Sequence, residues 1–87
     1  MNRMAGLICM VMLAGCASDE KKIAVDILPP NIRTAVVSKV PGIVIFGAST
    51  ETEKGITVYE INGVVNGKKV DVEVDASGKV LEVENGD

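Results

Sequence analysis

Carboxylates crowd the last third of this chain: Glu60, Asp71, Glu73, Asp75, Glu82 and Glu84. Dense carboxylates are the chemistry of a hard-cation site, and Asp71-Val72-Glu73-Val74-Asp75 has the acid content of a calcium loop. Its valines, and the period-2 alternation they make, contradict the EF-hand pattern. Other chemistry is thinner still. The chain has no His, which removes most zinc sites and the usual base for a nucleophile. Ser18, Ser38, Ser49 and Ser77 have no convincing base to activate them. Gly63 and Gly67 read as turn or strand glycines, because no helix follows them as a phosphate loop requires. No catalytic residue, metal ligand or cofactor site is expected, and the acidic residues remain the one constellation to place.

The elements that position them can be read from Ile56 to Glu84. Val70, Val72 and Val74 alternate with Asp71, Glu73 and Asp75, the signature of a strand with one buried face. Asn66-Gly67 stands between apolar runs, and a type I′ turn needs φ > 0 at both central positions, which these residues tolerate best. A two-residue loop there pairs Val65 with Lys68, Gly63 with Val70, Ile61 with Val72 and Tyr59 with Val74. Turn chemistry and hydrophobic pattern choose the same register. A second turn is expected over Asp75-Ala76-Ser77-Gly78-Lys79, with Gly78 free to take positive φ. Pairing Val74 with Leu81 and Val72 with Val83 would keep all four on one face.

These registers assemble rows on the opposite face. Glu60, Glu73 and Glu82 form one, Asn62, Asp71 and Glu84 a second, and Val58, Asp75 and Val80 a third. Directly opposed residues have Cβ atoms about 4.5–5.5 Å apart, where like charges destabilise the sheet. Glu60, Asp71, Glu73, Glu82 and Glu84 are therefore a candidate binding face for a cation or a basic partner. The bland alternative is a solvated surface whose charges salt screens within about 8–10 Å.

The first sixteen residues carry a different chemistry. Arg3 gives a small positive region, Ala5 to Leu13 is apolar, and Leu13-Ala14-Gly15-Cys16 follows at once. Small residues before a Cys resemble the lipobox of bacterial lipoprotein signal peptides. The resemblance implies that residues 1–15 are a signal peptide and that the Cys16 thiol receives a diacylglyceryl group. Acyl chains would then hold the chain to a membrane, each buried CH₂ contributing about 0.8 kcal/mol. Ala17 after the Cys is compatible with the outer membrane, facing the periplasm, in a Gram-negative source. An ordinary secretory signal that happens to contain Cys16 is the competing reading. With Cys9 removed and Cys16 acylated, no disulfide is expected.

Removing residues 1–15 from a chain of 87 leaves 72, and losing Arg3 turns a formal charge of −3 into −4. A mildly acidic chain without His, Trp or a Lys/Arg cluster is a poor nucleic-acid binder. Residues 16–27 read as lipid tether and linker, with Ala17 to Lys22 a polar spacer and Ile23 to Leu28 undecided between helix and extended chain. Residues 28–87 read as one domain. Pro29-Pro30 suits a helix entrance. Ile32, Ala35, Val36 and Val40 share one helical face, and Pro41-Gly42 ends it. Ile43 to Phe46 is a strand by composition, of undecided facing, and Ser49 to Gly55 reads as a loop. The expected fold is α+β: one N-terminal helix packed on a four-stranded antiparallel sheet.

Leu28-Pro29, Ile32, Ala35-Val36, Pro41-Gly42, Tyr59-Glu60-Ile61, Val70 to Asp75 and Gly78-Lys79-Val80-Leu81, in that order, resemble a PepSY-like domain. Such domains are similar in fold to half of the beta-lactamase inhibitor protein and occur in metallopeptidase propeptides and small envelope proteins. The resemblance implies a non-catalytic module of the cell envelope that binds another envelope protein, with inhibition of a peptidase as the usual suggestion. A cation-binding or sensor module, or a purely structural envelope lipoprotein, would be the alternatives.

Overall fold

The computed structural model describes residues 19–86; the expected signal peptide, residues 1–15, and Cys16 lie outside them. At Asn66-Gly67 φ is 53° and 78°, as a type I′ turn demands. The turn joins β3 (Ile56–Val65) to β4 (Lys68–Asp75), and the register is the expected one: Val65 opposite Lys68, Ile61 opposite Val72, Tyr59 opposite Val74. Val70, Val72 and Val74 are buried with Ile61 in one core cluster.

Helix α1 (Pro30–Lys39) covers that face. Pro30 occupies its first turn, where the missing N–H is not needed. Ile32 and Val36 are fully buried in the cluster, and Ala35 and Val40 pack against it, as their spacing predicts. A short 3₁₀ turn, Val25–Ile27, precedes the helix. Arg33 Nη2 donates to the Val25 carbonyl at 2.7 Å and ties the two together. Ile32, Val36, Ile61, Val72 and Val74 have the largest fully buried side chains, each contributing roughly 1.5–3 kcal/mol by leaving water.

The sheet has five antiparallel strands, not four, each paired with the next in chain order. Two expectations change with this. The stretch from Ser49 to Gly55 is not a loop: β2 runs from Val44 to Glu53, and only Lys54-Gly55, at φ 56° and 80°, turns the chain. Thr50 and Thr52 lie on the helix side of β2, opposite Tyr59 and Thr57, and Thr52 Oγ1 meets Thr57 Oγ1 at 3.0 Å. β-branched threonines suit a strand without supplying an apolar alternation. The polar stretch read as a spacer is likewise a strand: β1 (Asp19–Ile23) pairs along β2, with Ile23 opposite Ala48.

The start of β2 settles the facing of the apolar run. Ile43 and Ile45 pack against the core, whereas Val44 and Phe46 are exposed. A bulge between Ile45 and Gly47 lets Phe46 leave the ladder. Gly63, opposite Ile45, admits this packing by having no side chain. A Cβ there would stand 2.6 Å from the Ile43 side chain and 2.9 Å from the Val44 carbonyl oxygen.

The last hairpin departs from the expected pairing at one end. Val72 faces Val83 and Glu73 faces Glu82, but Val74 faces Val80, so Leu81 is bulged out of β5 (Val80–Asn85) and is exposed. The cause is the Asp75 turn. Asp75 Oδ1 accepts hydrogen bonds from Ser77 N at 3.0 Å, Ser77 Oγ at 2.6 Å and Lys79 N at 2.9 Å. The Asp75 N–H donates to the Lys79 carbonyl. This tight loop brings Val80 rather than Leu81 level with Val74, and the expected row of Val58, Asp75 and Val80 does not form.

The two faces of β4 give the first test. Val72→Asp places an unpaired carboxylate in a site with no exposed surface, which should lower stability by several kcal/mol and unfold so small a core. Glu73→Val, one residue along, should stay folded. Denaturant unfolding monitored by circular dichroism compares them, and equal loss in the two would mean that the assigned faces are wrong.

Candidate functional site

With α1 on one side, the other face of the sheet is left without a covering layer among the described residues. Three rows of side chains cross it. The register places Lys22, Ser49, Glu60, Glu73 and Glu82 in the first, and Gly47, Asn62, Asp71 and Glu84 in the second. Glu20, Glu51, Val58 and Asp75 make the third. All five candidate residues thus share this face. Glu60, Glu73 and Glu82 stand directly opposite one another, and Asp71 stands opposite Glu84. Glu20, Glu51 and Lys22 join this face as well, although β1 and the second half of β2 look like spacer and loop in the sequence. The signal that could have found Glu51 is the alternation of Ser49, Glu51 and Glu53 with Thr50 and Thr52, whereas Asp19-Glu20-Lys21-Lys22 carries none.

Glu60 and Glu73 sit in the middle of the first row and are half-buried by their neighbours. Burial raises the Glu60 carboxyl above its ordinary range first, and repulsion from Asp71, Glu20 and Glu51 raises it further. Glu73 is raised by burial and then by Glu82 and Glu60. Asn62 relieves one member of the second row, its Nδ2 donating to Asp71 Oδ1 at 2.8 Å. Asp75, at the margin, is different: its hydrogen bonds from Ser77 and from the Lys79 backbone hold it below the usual carboxylate range. It serves the turn.

The bulge at Phe46 and the bare Gly47 open a shallow cleft at the β1–β2–β3 end of this face, lined by Lys22, Phe46, Ser49, Glu60 and Asn62. Among the described residues no group of three or more His, Cys, Asp or Glu side chains could hold a metal ion. The carboxylates are spread along strands about 4.8 Å apart rather than converging on a point. Their arrangement makes a broad field of negative charge.

A family profile, described as the peptidase propeptide and YPEB domain, matches residues 31–84. The match runs from the first turn of α1 to the last residues of β5. The chain belongs to the PepSY family. β1 and the 3₁₀ turn precede the matched PepSY region, so the strand that completes this sheet is contributed from outside it. No curated protein and no solved structure matches the chain. Among the described residues of the PepSY chain, no helix is long and apolar enough to cross a membrane.

The raised carboxyls make a pH prediction. A carboxyl whose native pKa lies above its unfolded value binds protons more tightly in the folded state, so stability falls as pH rises from about 4.5 through the native value. Glu73→Gln removes that penalty. It should raise the melting temperature at pH 7, and the gain should shrink on acidification and vanish below about pH 4. A gain that persisted at low pH, or a loss at pH 7, would show that Glu73 carries no such electrostatic strain.

Proposed function

We propose that this protein is a lipid-anchored, non-catalytic PepSY module of the bacterial cell envelope that binds another envelope protein and restrains it, the partner being a peptidase. The observation that carries the reading is the PepSY match across the helix and the four strands that follow it, in a family described by its peptidase propeptides. A propeptide acts by occupying its enzyme, and a domain without His or an activated nucleophile is suited to occupy rather than to cleave. The uncovered acidic face supports the same reading, since it offers charge complementarity to a basic surface. A protein partner fits these rows better than a cation does, because the carboxylates do not converge.

The anchor follows from Leu13-Ala14-Gly15-Cys16. With Cys16 acylated, only Ala17 and Ser18 stand between the lipid and β1, a reach of about 10 Å. The domain would then rest at the membrane surface, next to partners held in the same membrane.

Full-length protein, expressed in its own envelope and captured after mild cross-linking and detergent extraction, tests the reading. One stoichiometric partner whose peptidase activity falls on adding the purified protein is the expected result. A partner without loss of activity would make the protein a structural lipoprotein instead. No partner, with saturable binding of a divalent cation, would favour the sensor. Intact mass decides the anchor: the extracted chain should start at Cys16 with added acyl mass, and Cys16→Ser should leave an uncut, unmodified chain.

A further inference from the structure

The two edges of the sheet are built differently. On β1, Glu20 and Lys22 point to the open face, and Lys21 lies on the helix side opposite Thr50, the kind of charged edge that resists further pairing. β5 is the other edge, and there Leu81 and Val83 are 47% and 38% exposed.

The backbone of β5 has a defined phase. The Gly86 N–H donates to the Lys69 carbonyl at 2.9 Å. Because bonded and unbonded pairs alternate in an antiparallel ladder, Glu84 and Glu82 turn their N–H and C=O groups toward β4. Val83, opposite Val72, and Asn85, opposite Val70, turn theirs outward. Val83 also lies on the helix side, at the rim of a cleft of about 510 Å³ lined by Val40, Val65 and Val70 and also by Lys68, Lys69 and Asn85. Glu82 and Glu84 stand on the opposite face, at the ends of the acidic rows.

We propose that β5 is a docking edge that takes an extended segment of a partner as a sixth strand, with an apolar residue opposite Val83 and a basic residue on either side of it. The outward groups of Val83 and Asn85 supply main-chain hydrogen bonds, which give affinity in strand addition, and the alternating side chains give specificity. The apolar side chain enters the cleft beside Val83. Its two neighbours point to the other face, where Glu82 and Glu84 receive a Lys or Arg. A second copy of this chain is a worse occupant, because β5 against β5 sets these glutamates against their counterparts, where like charges destabilise. The inference rests on the protein-binding reading above and adds the mode of contact; it does not require a peptidase.

The probe is a capped, fluorescent peptide, Lys-Val-Arg-Val-Lys-Val, titrated against the full mature protein in detergent and followed by anisotropy. Saturable binding is expected. Val83→Pro removes an outward N–H while leaving the β4 ladder intact, and should weaken binding about tenfold, the equivalent of about 1.4 kcal/mol. Peptides N-methylated at alternate residues keep the test independent of whether that variant folds. Methylation in one parity should abolish binding to the unmodified protein and methylation in the other should not. In the complex, amide exchange at Val83 and Asn85 should slow. No saturable binding, equal effects of both parities, or protection at β1 instead would overturn the proposal. So would dimerisation through β5. A captured partner that leaves these amides unprotected would sink the edge inference and spare the proposed function. Peptide binding at β5 by a protein that restrains no peptidase would do the reverse.

Discussion

One ten-residue helix can cover one side of a five-stranded sheet and no more. Everything else in this fold follows from that limit. The apolar parity of β3 and β4 must face α1, since Ile61, Val72 and Val74 are buried in the cluster there. The other parity is then committed to water. In β4 that parity is Lys69, Asp71, Glu73 and Asp75, so the same strand alternation that builds the core also assembles the charged field. Neither can be changed without the other, because slipping the register by one residue would exchange the two faces.

The electrostatic consequence runs against stability. Glu60 and Glu73 are held above their ordinary pKa by burial among like-charged neighbours. A sheet selected for stability alone would interleave lysines, which contribute about 0.2–1 kcal/mol per cross-strand pair. Asp75 shows what a stabilising carboxylate looks like in the same strand: it accepts three hydrogen bonds from Ser77 and Lys79 and is depressed rather than raised. The contrast separates carboxylates that hold the fold from those that strain it. Strain of this kind, kept at a surface, is the usual mark of a stability–activity trade-off.

Legibility in the sequence tracked how local the determining interaction is. Asn66-Gly67 carries turn type, register and facing within a few residues, so β3, β4 and the central row were readable. Helix α1 was readable because Pro29-Pro30 and Pro41-Gly42 bracket a regular apolar stripe. β1 was not, since Asp19-Glu20-Lys21-Lys22 has no strand pattern, and only pairing to β2, some thirty residues on, makes it one. The length of β2 was hidden because its helix-side residues past Ala48 are threonines. The Leu81 bulge was hidden because it depends on three hydrogen bonds to one aspartate rather than on apolar parity. The acidic face is therefore legible in its β3–β5 half and hidden in its β1–β2 half.

The carboxylates left uncovered among the described residues are under repulsive strain, and the proposed contact surface is made of them. Carbon-13 titration of the Glu60 and Glu73 side-chain carboxyls, in the free protein and in a complex with the proposed partner, measures this directly. In the free protein both should titrate above the ordinary 4.5, and both should fall when a basic surface neutralises the rows. Ordinary values in the free protein, or values that do not move when the partner binds, would contradict it.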